Sequence, residues 1–263
     1  MSEFSQKLLP IIEEAGKIIL SAHGVESDTD IDVKSGSANF VTVYDVRVQD
    51  YLLTEIKKAF PSACFIAEEK DNDASVLQSE YCFIIDPIDG TTNFIHDYKI
   101  SSISLALFQN GEPTFGAVYD PYLHEMFYAE TGLGAYLNGR QIKVSEREMG
   151  VSLLSYGTAP YYRDTLGDKT FALARELFSK CADIRRLGSA ALDLAHLAAG
   201  RCDMFFEFLL SPWDIAAGYL IISEAGGIMT NMKGEPIDFS APSPVIASNK
   251  KNYDILLNIA RKY

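Results

Sequence analysis

Basic residues are scarce in this chain: 23 lysines and arginines stand against 36 aspartates and glutamates, a formal charge of −13 over 263 residues. Such a balance argues against a general nucleic-acid groove or an anionic-membrane patch, because both partners reward clustered Lys and Arg. Long apolar runs are missing too, and Met1–Lys7 has neither the basic start nor the apolar centre of a secretory leader, so no membrane association and a cytoplasmic location are expected. Cysteine is sparse and scattered. Cys64, Cys82, Cys181 and Cys202 lack metal-ligand spacing, and three lie in or beside apolar runs, which reads as reduced core thiols. The histidines, His23, His96, His124 and His196, make no zinc pattern, so any metal site must use hard oxygen ligands, which suits magnesium. Internal repeats, low-complexity linkers and a disordered tail are also absent from the pattern.

An apolar content of 48% is enough for a large core. The chain reads as one domain over residues 1–263, with two closely packed lobes, 1–148 and 149–263, as the possible division at the charged stretch Ser145–Gly150. Apolar residues at three-and-four spacing predict helices over Glu3–His23 and Val43–Phe60. Cys64–Ala67 and Tyr81–Ile85 read as buried strands. Ile103–Phe108, Gly116–Tyr119 and Met126–Ala129 read as antiparallel strands, with turns at Asn110-Gly111 and Asn138-Gly139. Beyond Gly150, strands (Ser152–Tyr156, Ile184–Leu187, Met204–Phe208) alternate with helices (Leu166–Lys180, Ala190–Ala199), which is an α/β pattern.

The most informative segment is Asp86-Pro87-Ile88-Asp89-Gly90-Thr91-Thr92-Asn93-Phe94. It sets two carboxylates three residues apart where an apolar strand must end, since Pro87 cannot continue a regular ladder and Gly90 admits unusual backbone angles. Thr91, Thr92 and Asn93 are residue types that cap a helix, so backbone N–H groups could face whatever the acids hold. Asp-Pro and Asp-Gly are also ordinary turn dipeptides. The nonapeptide as a whole resembles the first signature of the inositol monophosphatase family, which includes relatives of fructose-1,6-bisphosphatase.

Other segments fit the resemblance in the right order. Glu68-Glu69 follows a strand directly, although adjacent acids can simply open a solvated loop. Ser211-Pro212-Trp213-Asp214 has the form of a helix capping box, yet Trp213–Gly218 continuing to Glu224–Gly227 resembles the second family signature. Lys34, Phe40-Val41-Thr42 and Asp45 match an early family segment, with Asn39 departing from a common Asp there. The matches run from about Lys34 to Gly227.

The resemblance implies a layered α-β-α-β-α sandwich and a homodimer. It also implies a lithium-sensitive phosphomonoesterase using two or three Mg2+ ions per site on a small phosphorylated polyol or sugar. Glu68, Asp86 and the Ile88 carbonyl would hold one ion and Asp86, Asp89 and Asp214 a second, with a third weaker ion near Glu68 depending on the Asn39 region. Glu68, Thr91 and Asp45 would prepare the attacking water, which acts without a covalent intermediate. Asp89, Gly90, Thr91, Gly188, Ser189, Ala190, Glu207 and Asp214 would contact substrate. The leading expectation is inositol monophosphate hydrolysis. Its rivals are a fructose-1,6-bisphosphatase or another sugar or nucleotide phosphatase, for which Arg185-Arg186 could meet a second phosphate, and a non-catalytic protein-binding scaffold.

Overall fold

The structure is a computed structural model describing residues 2–22, 31–35, 39–70 and 72–263, with residues 31–35 and 39–41 described by backbone alone. His23 and Asp71 therefore fall outside the described residues, as do the side chains of Lys34, Asn39, Phe40 and Val41. The first half runs α1 (Glu3–Leu20), β1 (Ile31–Ser35), β2 (Asn39–Thr42), α2 (Val43–Ala59), β3 (Cys64–Ala67), β4 (Cys82–Asp89), α3 (Thr91–Ile95), β5 (Ser102–Gln109), β6 (Glu112–Asp120), β7 (Glu125–Glu130), β8 (Gly134–Leu137) and β9 (Arg140–Ile142). The second runs β10 (Leu153–Tyr156), α4 (Arg163–Phe178), β11 (Asp183–Arg185), α5 (Ala190–Ala198), β12 (Met204–Leu210), α6 (Pro212–Glu224), β13 (Ile228–Asn231), β14 (Ser243–Ser248) and α7 (Tyr253–Ala260).

Strands β3 to β9 form a seven-stranded sheet in chain order, antiparallel except for the parallel β3–β4 pair. Strands β10 to β14 form a five-stranded mixed sheet in the order β11-β10-β12-β14-β13. Both hairpin turns expected at Asn110-Gly111 and Asn138-Gly139 form with positive φ at each residue, the geometry that suits a two-residue connection between twisted strands.

Strand periodicity sorts side chains into layers. Phe83, Ile85, Leu105 and Leu107 pack against α1 and α2, whereas Cys82, Ile84, Ala106 and Phe108 face the other way onto α5 and α6. The other face of α5 and α6 meets Phe205, Val245 and Ala247 of the second sheet, whose outer face (Leu154, Met204, Phe206, Ile246) is covered by α4 and α7. The result is the α-β-α-β-α layering that the resemblance implied. Because central strands are buried on both faces, they read as continuous apolar runs rather than alternating ones.

Two sequence readings need correction. Strand β4 does not stop before Pro87 but runs to Asp89 through a bulge, where Asp86 pairs with Ser104 and Asp89 with Ser102. The extra residue takes Pro87 out of the regular ladder. Helix α3 has Gly90, at φ 94°, as its N-cap and no side-chain cap, so Thr91 is free for other bonds. Glu207 lies in the middle of β12 and is buried. Strands β13 and β14 and helix α7 were not anticipated at all.

Candidate active site

The parallel β3–β4 pairing sets Ala67 opposite Ile85, and the Glu68 N–H donates to the Ile85 carbonyl at 3.2 Å. Glu68 and Asp86 therefore leave neighbouring strands at the same edge. The β4 bulge turns Asp89 toward the same point, and the Asp86 carboxylate secures the Pro87 corner by accepting from the Ile88 N–H at 3.0 Å. Asp214 arrives from the other half of the chain at the start of α6, where it accepts from the Ser211 N–H at 2.6 Å as a capping residue. One oxygen from each of Asp86, Asp89 and Asp214 lies within 4.8 Å of the others.

Burial is the first reason that Asp86 and Asp214 are pushed well above the usual carboxylate range. Repulsion adds to it, from Glu68 and Asp89 on Asp86 and from Asp89 and Glu68 on Asp214. Asp89 is pushed up to about 6 by burial, opposed by hydrogen bonds from the Ser189 hydroxyl and the Ala191 N–H. Among the described residues, Arg186 is the only Lys, Arg or His lining the cavity. Hard divalent cations fit the group, since they favour the charged form of every carboxylate and take oxygen donors.

Asp45 lies behind the cluster on the first turn of α2. Its Oδ2 accepts from the Thr42 N–H at 2.8 Å and from the Thr42 hydroxyl, so it completes a capping box as well. Its Oδ1 is 3.5 Å from the Thr91 hydroxyl, which is 3.1 Å from the Ile88 carbonyl. Burial pushes Asp45 up to about 7, with the Thr42 bonds opposing it and Glu68 and Glu69 adding to it. One turn along α2, buried Gln49 clamps the Glu69 backbone, donating to its carbonyl and accepting from its N–H, each at 3.0 Å. Sequence reasoning missed Gln49; its signal is the i,i+4 spacing from Asp45 on one helix face.

The cluster opens into a cavity of about 310 Å³ that also receives Gly90, Thr91, Gly188, Ser189, Ala190 and Glu207. Ser189 is the N-cap of α5, and its hydroxyl donates to Asp89 Oδ2, which also accepts from the Ala191 N–H at 2.8 Å. Asp89 thus docks the first half of the chain onto a helix start in the second. Glu207 accepts from the Ala159 N–H at 2.8 Å and is pushed up to about 7, mainly by burial. Every residue that the resemblance assigned to the two principal ions, the attacking water or the substrate lines this cavity except Asp45, which reaches it through Thr91.

The structure separates the two arginines. Arg185 pairs with Asp183 at 2.5 Å, whereas Arg186 lines the cavity and donates to the Thr158 hydroxyl at 3.2 Å. The loop after β10 was not anticipated as part of the site, yet Gly157, Thr158, Ala159 and Tyr161 all line it. Asp193 was missed as well. It is a buried acid inside the apolar helix α5, held by the Ser155 hydroxyl and raised well above the usual range by burial. A lone acid on an apolar stripe was its available signal.

The model of the Inositol monophosphatase family matches residues 1–263. The chain belongs to the inositol monophosphatase family. Among relatives, it is 38% identical to the Nus factor SuhB of Salmonella typhimurium (strain LT2) over 222 residues, covering 84% of this chain and 82% of that one. The Thermotoga maritima IMPase structure superposes with a TM-score of 0.86 at 35% identity, over 97% of this chain and 95% of that one. An IMPase/NADP phosphatase complexed with Mg2+ and phosphate matches with a TM-score of 0.83 at 25% identity, over 97% and 92%. Membership in the inositol monophosphatase family supports a phosphatase.

Proposed function

We propose that this protein is a magnesium-dependent phosphomonoesterase that hydrolyses inositol monophosphate by attack of water, without a covalent phosphoenzyme. The observation that carries this reading is the convergence of four carboxylates, from Glu68, Asp86, Asp89 and Asp214, at one cavity. The Mg2+ and phosphate held by the IMPase/NADP phosphatase support it further. Glu68, Asp86 and the Ile88 carbonyl would hold one ion, and Asp86, Asp89 and Asp214 a second, and a weaker third would sit near Glu68. Magnesium there supplies positive charge to the phosphoryl oxygens and acidifies a water molecule.

The protein's own groups divide the remaining work. Thr91 sits between Asp45 and the cavity, so its hydroxyl can hold the attacking water while Asp45, close to neutrality in its ionisation, accepts the proton. The backbone at Gly90 and the α5 start at Gly188, Ser189 and Ala190 orient the substrate beside Asp89 and Asp214. Glu207, fixed by the Ala159 N–H, offers an acceptor to a polyol hydroxyl. A homodimer, lithium sensitivity and a cytoplasmic location belong to this proposal on the strength of the family alone. No helix among the described residues is long and apolar enough to cross a membrane.

A second reading, a sugar bisphosphatase, draws support from Arg186, the cation lining the cavity. A non-catalytic scaffold draws on the Nus-factor name of the Salmonella relative, but retention of the whole acid set favours an enzyme. Phosphate release from inositol 1-phosphate, fructose 1,6-bisphosphate, NADP, 3′-phosphoadenosine 5′-phosphate and histidinol phosphate, compared by kcat/KM at matched magnesium, tests all three. The highest value is expected for inositol 1-phosphate. A higher value for the bisphosphate selects the second reading, and no release from any ester selects the scaffold.

A further inference from the structure

We propose that Tyr161 is a substrate-contacting residue whose phenol hydroxyl donates a hydrogen bond to the phosphoryl group of the bound ester. This rests on the phosphatase reading and adds to it a residue that neither motif contains.

Tyr161 stands on the short 3-10 turn Pro160–Tyr162 after β10 and lines the same cavity as the acids. About half of its surface is exposed, at 51%, but its hydroxyl end is desolvated and lies in the field of Glu68, Asp214, Asp86 and Asp89. Burial and those acids both push its ionisation upward, so the phenol stays protonated and keeps its donor. That donor makes no hydrogen bond to any described residue, although four carboxylates lie near it. An unused donor that lines the same cavity as the acids without bonding to them is placed for whatever fills the space between. The cations that would fit the acid cluster draw a phosphoryl group there, and its outer oxygens would face the loop.

The loop is held before any ligand arrives. Ala159 adopts a left-handed conformation, φ 40° and ψ 61°, and its N–H donates to Glu207. The Gly157 N–H donates to the Phe206 carbonyl at 3.1 Å and the Tyr162 N–H to the Ala159 carbonyl at 2.8 Å. Arg186, leaving the neighbouring parallel strand β11, adds a bond to Thr158. A donor fixed in this way costs little to order on binding, and a bond to an anionic oxygen is stronger than one between neutral groups. Because the phosphoryl group is common to all esters, Tyr161 should act equally on all of them, unlike Glu207.

Tyr161→Phe removes the hydroxyl alone at a half-exposed position, so folding should be retained. The variant is compared with the unaltered protein in three measurements: kcat/KM for inositol 1-phosphate and for a minimal aryl phosphate, calorimetric titration with inorganic phosphate in saturating magnesium, and magnesium affinity without phosphate. We expect both kcat/KM values and the phosphate affinity to fall by about 10-fold or more, the order of one charge-assisted hydrogen bond. The ratio between the esters and the magnesium affinity should not move. Unchanged kinetics with unchanged phosphate affinity would overturn the assignment, as would a loss confined to one ester or accompanied by weaker magnesium binding. If the unaltered protein releases no phosphate from either ester, the phosphatase reading fails by itself, and the phosphate titration still decides whether Tyr161 contacts that group.

Discussion

Glu207 fills the space that a side chain at position 157 would need: a Cβ built on Gly157 would lie 1.8 Å from Glu207 Oε2. The acid on β12 and the glycine after β10 are one device. The same carboxylate accepts the Ala159 N–H two residues further on, so the loop and the acid fix each other. Gly157→Ala should therefore displace Glu207 and disturb the loop. We expect a loss of about 1–3 kcal/mol from overpacking, with a changed preference between inositol 1-phosphate and a minimal aryl phosphate. Gly167→Ala, where an added Cβ meets nothing within 4 Å, is the comparison. Equal denaturation midpoints and equal preference in both variants would contradict the coupling.

Glu207→Gln keeps the shape and removes the charge. If Glu207 accepts from a polyol hydroxyl, kcat/KM for inositol 1-phosphate should fall by about 10-fold relative to the aryl ester, which has no such hydroxyl. Magnesium affinity should be preserved, because Glu207 is not among the clustered oxygens. An unchanged ratio in folded protein at saturating magnesium would leave Glu207 with a structural role only.

Asp89→Asn should separate chemistry from folding. The amide can still accept from the Ala191 N–H, but it removes one negative charge from the cluster. A fall in kcat of at least about 100-fold is expected, with weaker magnesium binding, as several kcal/mol of charge stabilisation are lost. The thermal midpoint of the metal-free protein should stay level or rise, since repulsion with Asp86 and Asp214 is relieved. A folded variant with unaltered kcat and magnesium affinity would remove Asp89 from the site.

Acidity and metal should act against each other. Asp45, Asp89 and Glu207 are pushed up to about 7, 6 and 7, and Asp86 and Asp214 are raised as well, so the metal-free native state holds protons that the unfolded chain has released. Metal-free stability is therefore lost through these groups as pH rises from about 4 through 7. His196, held down to about 4 by burial, has the opposite sign below its ordinary value of 6.5. It lies outside the acid cluster and cancels when protein with and without magnesium is compared at each pH. Added magnesium favours the ionised acids, so the gain in thermal midpoint it confers should grow steadily from pH 5.5 to pH 8. A gain that is flat or shrinks over that range would show that these carboxylates do not hold the ion.

Much was legible along the chain because local rules set it. Short apolar runs and helical apolar spacing marked most elements, Asn-Gly pairs marked both tight hairpins, and the two signatures marked Asp86, Asp89 and Asp214 through their turn and capping chemistry. Those rules involve neighbours a few residues apart, where backbone sterics and side-chain period dominate. The β4 bulge was not legible, because proline alone does not show whether a strand ends or bends around it.

What only the tertiary structure decided is which distant groups share one cavity. Burial of Asp193 and Glu207, the split of Arg185 from Arg186 and the placing of Tyr161 in the cavity with the acids depend on the second sheet packing across α5 and α6, and the Gln49 clamp depends on α2 packing against the first sheet. No local pattern records such packing, since a strand or helix carries the same residues whichever element covers it. The physical reason is desolvation. An acid becomes a strained, metal-seeking group only once other segments remove its water, and contacts tens of residues apart remove it here.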